Sequence, residues 1–184
     1  MSIEKYTTDA IVIESYDQGE HDRVYSLFTR DFGLVRAHAK SIRKLESKLR
    51  AHVIPRSRSL VTLVKGKEVW RLVGAQECNE KDNYIHEITN LTKRFIKGEQ
   101  THKELFDRMI SCMQEGLQFD EQKARLLIYY IYLVELGYAD AQVIGASTIK
   151  EYAKWSVADL YTHLVINYKQ VRTHVQEVLK EMQL

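Results

Sequence analysis

The side chains that could do chemistry in this sequence are mainly lysines and arginines, and one stretch concentrates them. Between Arg36 and Arg71 there are eleven Lys or Arg and two Glu, a local charge of +9 in a chain whose total is +2. Clustered cations neutralise phosphates, which is the main sequence-independent source of nucleic-acid affinity. A solvated face that only aids solubility accounts for scattered charges, but not for such an excess in one stretch. The sequence therefore predicts a polyanion-binding surface here.

The candidates for phosphate contacts form two groups. The first group lies in a short alternating segment and the loop that follows it, where the basic residues are closest together. The second group lies further along, where the direction of each strand side chain decides whether it reaches the same surface. The first candidates are Arg36, Lys40, Arg43, Lys44, Lys48 and Arg50, and the second are Arg56, Arg58 and Arg71.

No pattern in the sequence indicates catalysis or a metal site. Glu20-His21-Asp22 has no second histidine, partner carboxylate or glycine-rich phosphate loop in an interpretable spacing, so a role in a turn or at a strand edge is favoured. The other six histidines are scattered. Two cysteines, Cys78 and Cys112, are too few for a zinc site or a disulfide framework. We therefore expect no enzyme, no cofactor and no metal.

The elements that must position the basic residues are short strands. Five β-rich runs occur in about 75 residues, separated by turn residues, and five is the strand number of the OB-fold barrel. A β-sandwich would need more strands and a longer chain. The predicted strands are Thr8–Ser15, His21–Thr29, Leu34–Lys40, Ser59–Val64 and Val69–Val73.

The third predicted strand alternates strictly between small apolar and polar or basic residues. Val35, Ala37 and Ala39 would face a core, while Arg36 and Lys40, with His38 between them, would face an anion. Two aromatic residues near these strands, Trp70 and Phe32, could stack on bases as in single-strand binders. For Trp70 a core position is favoured, because large aromatic residues dominate burial in small domains.

From about residue 79 the apolar period becomes helical. It predicts one helix over Asn83–Ile96, and a second that opens with a capping box at Thr101–Glu104. A third follows Asp120 and ends at Gly137, and a last helical stretch opens at Ser156. The apolar, tyrosine-rich part of the third helix is interpreted as core, although a groove for an apolar partner is the alternative. The fold class is α+β, with an OB-fold domain at 1–78 and an all-helical domain at 79–184.

An ordered set of short motifs resembles the N-terminal domain of the RecO family. No single piece is specific, but the order and spacing hold across some 65 residues. The helical half is similar more weakly, through Leu136-Gly137-Tyr138. The motifs are Ala10-Ile11-Val12-Ile13, Gly19-Glu20-His21-Asp22, Leu27-Phe28-Thr29-Arg30, Gly33, Ala39-Lys40, Arg43-Lys44, Ser47-Lys48-Leu49-Arg50, Pro55 and Trp70-Arg71-Leu72.

The sequence departs from that family at two places. Many members carry a four-cysteine zinc-binding insertion after the Leu-Gly-Tyr motif, whereas residues 137–147 here contain no cysteine. The chain therefore resembles a reduced member without the zinc module. Ser41 stands where a glycine usually follows the Ala-Lys pair, which puts the loop conformation there in question.

The resemblance implies a mediator of recombinational repair that performs no chemistry on a substrate. Proteins similar to RecO bind single- and double-stranded DNA, anneal complementary strands and associate with RecR. They also bind the C-terminal tail of the single-stranded DNA-binding protein SSB, and so help RecA to replace SSB on single strands. The resemblance implies that the tail docks on the helical domain.

Two other functions remain open from the residues alone. One is an RNA-binding OB-fold protein, and the other is a scaffold whose basic face meets an acidic protein. The longest apolar run, Leu126 to Val134, is about half of a membrane span, and no apolar signal region follows Met1. We expect a cytoplasmic, nucleoid-associated protein with no membrane contact.

Overall fold

The computed structural model describes residues 4–67, 69–78, 83–115 and 118–182. Its first part is a closed barrel of five strands, which confirms the predicted OB-type architecture. Each strand overlaps its predicted position, although the first is longer at both ends and the fifth is longer at its C-terminal end. The strands are β1 Lys5–Gln18, β2 Asp22–Thr29, β3 Gly33–Ala39, β4 Arg58–Lys65 and β5 Trp70–Glu77.

The barrel closes through its first and fourth strands. The strand order is β1-β2-β3-β5-β4, and β1 pairs antiparallel with both β2 and β4. β3 and β5 form the single parallel pair, with His38 opposite Arg71. An irregularity between Val12 and Glu14 lets β1 bend around the barrel, as β-bulges commonly do.

The barrel core is made of the inward-facing residues of all five strands. Val35, Ala37 and Ala39 are fully buried while Arg36 is exposed, so the alternation predicted for β3 is confirmed. The connection between β3 and β4 adds two buried side chains of its own. The core cluster is Ala10, Val12, Tyr25, Leu27, Val35, Ala37, Ala39, Ile42, Val53, Val61, Leu63, Trp70 and Leu72.

The first helix, α1 (Ile85–Phe95), packs against β1. The segment after it contacts the turn between β2 and β3: the Leu34 amide donates to the Gly98 carbonyl at 2.9 Å, and the Thr101 hydroxyl donates to the Asp31 carbonyl at 3.2 Å. By internal contacts the chain forms two compact units, 1–106 and 107–184, so α1 belongs with the barrel. Residue 79, where the predicted helical domain begins, lies outside the described residues.

The remaining helices run to the end of the described chain. α3 (Glu121–Glu135) contacts α5 (Val157–Ile166) and α6 (Tyr168–Glu181), and α5 also contacts α6. None of the described helices has the length and apolar character needed to cross a bilayer. The helices that follow α1 are α2 Lys103–Glu115, α3 Glu121–Glu135, α4 Ile149–Lys154, α5 Val157–Ile166 and α6 Tyr168–Glu181.

The helix starts agree with the sequence at two places and disagree at one. The Asp120 side chain accepts from the Lys123 amide, and Ser156 forms a capping box with Asp159. The capping box predicted at Thr101–Glu104 is wrong, because α2 begins at Lys103 and the Thr101 hydroxyl instead donates to Asp31. The tertiary hydrogen bond from Thr101 to Asp31 therefore forms in place of the predicted capping bond.

The tyrosine-rich helix α3 is mostly buried, which confirms its interpretation as core. Tyr130 and Tyr132 have no exposed surface, and the Tyr130 hydroxyl donates to the Asp140 carbonyl at 2.7 Å. At its end Glu135 accepts from Arg108 Nε at 2.8 Å, and both side chains are largely shielded from solvent.

Candidate nucleic-acid interface

The basic loop of the sequence is the connection between β3 and β4, residues 40–57, here called the basic connection. Two apolar side chains within it, Ile42 and Val53, are buried in the barrel core, and Leu49 packs against that core. At its end the Ser59 hydroxyl donates to the His52 carbonyl at 2.7 Å. Since both ends are anchored in the barrel, the polar residues between them are held at the surface.

The start of the basic connection is fixed by the turn between β1 and β2. The Ser41 amide donates to Asp22 Oδ1 at 2.7 Å, and the Arg43 amide donates to the His21 carbonyl at 3.0 Å. Residues 20–22 therefore form a turn and the start of β2, which is the role that the sequence favoured for Glu20-His21-Asp22. Within the described part of the chain, no group of three or more His, Cys, Asp or Glu side chains is placed to hold a metal.

Four of the predicted phosphate contacts extend into solvent from the basic connection. Lys40, Lys44, Lys48 and Arg50 are all exposed, and Lys48 and Arg50 lie in a short 3-10 helix, Lys48–His52. Leu45, between Lys44 and Glu46, is 94% exposed. The basic connection thus presents several cations at the surface, while its buried apolar side chains anchor its backbone to the barrel core.

Arg43 differs from these four residues because it has partners within the fold. Its guanidinium lies 3.5 Å from Asp17 Oδ2 and donates to the Gly19 carbonyl at 3.2 Å. Asp17 also accepts from Arg23 at 2.8 Å, and this hydrogen bond raises the pKa of Arg23. Arg43 therefore ties the basic connection to the β1–β2 turn, in addition to the charge that it contributes.

The three second candidates lie in different environments. Arg58 is paired with Asp9 at 3.1 Å and its side chain is only 15% exposed. Arg56 is exposed, with a φ of 65°, and its amide donates to the Val12 carbonyl at 2.7 Å. Arg71 is exposed on β5, opposite His38 of β3. Of the three, Arg56 and Arg71 present free surface to a ligand.

Arg36 lies on the outer face of β3 and lines a groove that the sequence did not predict. Lys93 of α1 and Lys97 beyond it line the same groove. The sequence places these lysines four residues apart near the end of a helix, but only the packing of α1 against the barrel brings them to Arg36. No local signal could have identified this cluster.

The aromatic residues near the strands pack together at the barrel core. Trp70 is buried, and its ring lies 5.1 Å from that of Phe32 and 5.9 Å from that of Tyr6. Its Nε1 donates to Glu99 Oε1 at 2.9 Å. The core position favoured for Trp70 is confirmed.

The barrel, its strand order and the basic connection define an OB-fold protein with a cationic surface. Residues 1–79 match the family model described as Recombination protein O N terminal. The N-terminal part of the chain is therefore similar to the RecO family.

Curated relatives extend this similarity beyond the barrel. A DNA repair protein RecO from Dehalococcoides mccartyi is 31% identical over 119 residues, covering 60% of this chain and 47% of the relative. The protein of the same name from Pelotomaculum thermopropionicum is 25% identical over 195 residues, covering 96% and 76%. That from Heliobacterium modesticaldum is 38% identical over 71 residues, covering 39% and 26%. The chain spans about half the length of the Dehalococcoides relatives that it matches.

Proposed function

We propose that this chain binds DNA through the basic connection and the outer face of β3, and acts as a mediator in recombinational repair. The observation that carries the proposal is the anchoring of residues 40–57 by Ile42 and Val53, with exposed cations held between them. A fixed array of cations gains phosphate contacts without the entropic cost of ordering a mobile loop. Similarity to the RecO family supports DNA, rather than an acidic protein, as the polyanion.

Annealing of complementary strands follows from the same surface. Two single strands repel each other through their phosphates, and a cationic surface between them screens that repulsion. Contacts made to phosphates leave the base edges free to pair. The contribution of the protein is therefore electrostatic, and no bond is made or broken.

The partners proposed for this chain are those of the family. RecR and the C-terminal tail of SSB would associate with it, and RecA would benefit indirectly as SSB is replaced on single strands. We propose that the helical residues dock the tail, while the barrel holds DNA. The protein would act in the cytoplasm, at the nucleoid.

The test of this function is an annealing assay with complementary strands across a salt series. We expect the chain to accelerate annealing, and the acceleration to fall steeply as salt rises, because counterion release drives phosphate binding. Annealing that does not depend on salt would contradict the electrostatic account.

Two further ligands, an RNA and a peptide of the SSB tail, distinguish the other functions in binding measurements. An RNA of equal length that competes more strongly than DNA would indicate an RNA-binding protein instead. Binding to a peptide of the SSB tail without any binding to DNA would indicate a docking scaffold.

A further inference from the structure

A groove of about 600 Å³ lies on the outside of the barrel, within the unit formed by residues 1–106. Ile13, Leu34 and Val69 give it an apolar floor, and Trp70 lines it from the start of β5. Charged side chains from β1 and β3, from α1 and from the segment after α1 form its walls. Its volume falls within the roughly 300–1,000 Å³ typical of ligand sites.

The carboxylates in the walls are already neutralised. Glu14 lies 2.7 Å from Lys93 Nζ, and Glu99 lies 3.2 Å from Lys65 Nζ while also accepting from Trp70. Neither carboxylate is therefore left to repel an anion in the groove.

Two cations of the groove have no carboxylate partner among the described residues. The Arg36 guanidinium is exposed and makes no ion pair or side-chain hydrogen bond within the part of the chain that the structure covers. Lys97 Nζ donates to the Lys93 carbonyl at 2.8 Å, which leaves its charge uncompensated. The groove therefore favours an anionic ligand.

The floor restricts what this anion can be. Val69 is 58% exposed, and exposed apolar surface next to cations fits a ligand with an apolar face and a negative charge. A nucleotide of a single strand has both, because its unpaired base offers a flat face to stack and its phosphate accepts from Arg and Lys. A base within a duplex is stacked and paired, so its face is not available.

We propose that this groove binds a nucleotide of single-stranded nucleic acid, with the base on the Leu34 and Val69 floor and the phosphate at Arg36 and Lys97. The inference rests on the proposed function, since it extends the strand from the basic connection onto the outer face of β3. It adds Lys97, from outside the barrel strands, to the binding surface. It also gives the protein a means to prefer single strands over duplex.

Trp70 provides a direct reporter of occupancy. The chain has two tryptophans, so Trp155→Phe leaves Trp70 as the single one. Phenylalanine is chosen because it keeps an aromatic ring at a position where the Trp155 ring stacks on that of His163 at 3.9 Å. We expect unlabelled oligodeoxythymidylate to change Trp70 emission with the same midpoint as the anisotropy of a labelled oligonucleotide. A duplex of equal length should raise anisotropy and leave the emission nearly unchanged.

The outcomes separate this inference from the proposed function. An anisotropy change without a Trp70 change would overturn the groove as a site, while DNA binding by the basic connection would stand. If neither signal changes, the proposed function fails as well.

Charge variants test the phosphate contact. Lys97→Ala should reduce the slope of log affinity against log salt by about 0.7, the value for one phosphate contact on a single strand. Lys97→Arg should retain the slope. Arg94→Ala is the matched control, because Arg94 is an exposed cation of the same helix end that does not line the groove.

Equal slopes for the Lys97→Ala and Arg94→Ala proteins would contradict a specific contact at Lys97. Circular dichroism of both variants checks that the end of α1 is intact.

Discussion

Ser41 has a backbone conformation that glycine adopts more easily than any other residue. Its φ is 57°, in the left-handed region, at the point where the chain leaves β3 for the basic connection. The resemblance to the RecO family implies a glycine at this position, and the structure explains that preference. The Ser41 amide, which donates to Asp22, holds the residue in this conformation despite its side chain.

Ser41→Gly is therefore expected to stabilise the fold. Relief of the left-handed conformation is worth about 1–2 kcal/mol, and the larger entropy of glycine in the unfolded chain removes about 0.4–1 kcal/mol of it. The net gain should be about 0.5–1 kcal/mol in urea unfolding. Ser47→Gly, at a residue with a φ of −72° in the same connection, should destabilise or have no effect. A loss of stability in Ser41→Gly would contradict this account.

Asp31, in the turn between β2 and β3, links stability to pH. A hydrogen bond from the Thr8 hydroxyl at 2.7 Å, aided by Lys103 at 3.3 Å, holds the pKa of Asp31 below its usual range. The charged form is therefore favoured by folding. Its contribution is present above the unfolded pKa, about 3.9, and disappears as pH falls through the folded pKa.

Thr8→Val should raise the pKa of Asp31 and weaken the acid dependence of stability. We expect the stability difference from wild type to shrink as pH falls below about 4, where the carboxyl of the unfolded chain is protonated. Urea unfolding across pH measures it. Thr7→Val is the control, because the Thr7 hydroxyl faces Thr62 instead. Identical pH profiles for the two variants would refute the role given to Thr8.

At the scale of elements, the strands were predictable because their patterns are local. The alternation of β3 follows from one buried and one exposed face, and the five strands follow from turn residues between β-rich runs. The start of α2 was predicted wrongly for the opposite reason. Thr101 has the local signature of a helix cap, but its hydroxyl bonds to Asp31, which is seventy residues earlier.

The close contact between the β2–β3 turn and the segment after α1 depends on Gly33. Its φ is 68°, and a Cβ on it would overlap the carbonyl oxygen of Gln100. Gly33→Ala should therefore cost about 2–4 kcal/mol, the sum of backbone strain and a steric clash. Gly19→Ala is a matched control, since Gly19 has a φ of 65° but open space around it.

The Gly19→Ala protein should be destabilised only by backbone strain, by about 1 kcal/mol. Thermal unfolding of both variants measures the difference. Equal destabilisation of the two proteins would mean that the contact with Gln100 contributes nothing.

In the unit formed by residues 107–184, here called the helical unit, Arg108 and Glu135 form a shielded ion pair. Their side chains are 11% and 17% exposed, and Arg108 also donates to the Tyr152 carbonyl at 3.1 Å. Glu135→Gln leaves the guanidinium without its counter-charge in a poorly solvated position, so we expect stability to fall by about 2–4 kcal/mol. Denaturant unfolding gives the value.

Glu121→Gln is the control for that variant, because it breaks an exposed pair with Arg125 on the same helix. The Glu121 side chain is 71% exposed, so its removal should cost no more than about 0.5 kcal/mol. A similar cost for the two variants would show that burial does not strengthen the Arg108–Glu135 pair.

At the scale of the molecule, the sequence predicted which stretch carries the cations, but not which of these cations are paired with carboxylates of the same chain. Arg36, Lys40, Lys44, Lys48 and Arg50 are exposed, since residues in a connection and on an outer strand face meet solvent. Arg58 and Arg43 have carboxylate partners, which both come from β1, and no count of charges identifies those pairs. Lys97 reaches Arg36 only through the packing of α1.

The central claim is that the basic connection binds DNA, and fluorescence anisotropy of a labelled single strand tests it most directly. The variant is Lys44→Ala/Lys48→Ala/Arg50→Ala, which leaves Arg43 and its contact with Asp17 intact. The control is Lys150→Ala/Lys154→Ala/Lys180→Ala, which removes three exposed lysines from the helical unit.

We expect wild type and control to bind with the same steep salt dependence. The variant should bind more weakly, with a salt slope reduced by up to about 2, which is about 0.7 for each phosphate that it no longer neutralises. Equal affinity and slope for the variant and the control would contradict the assignment of DNA binding to the basic connection.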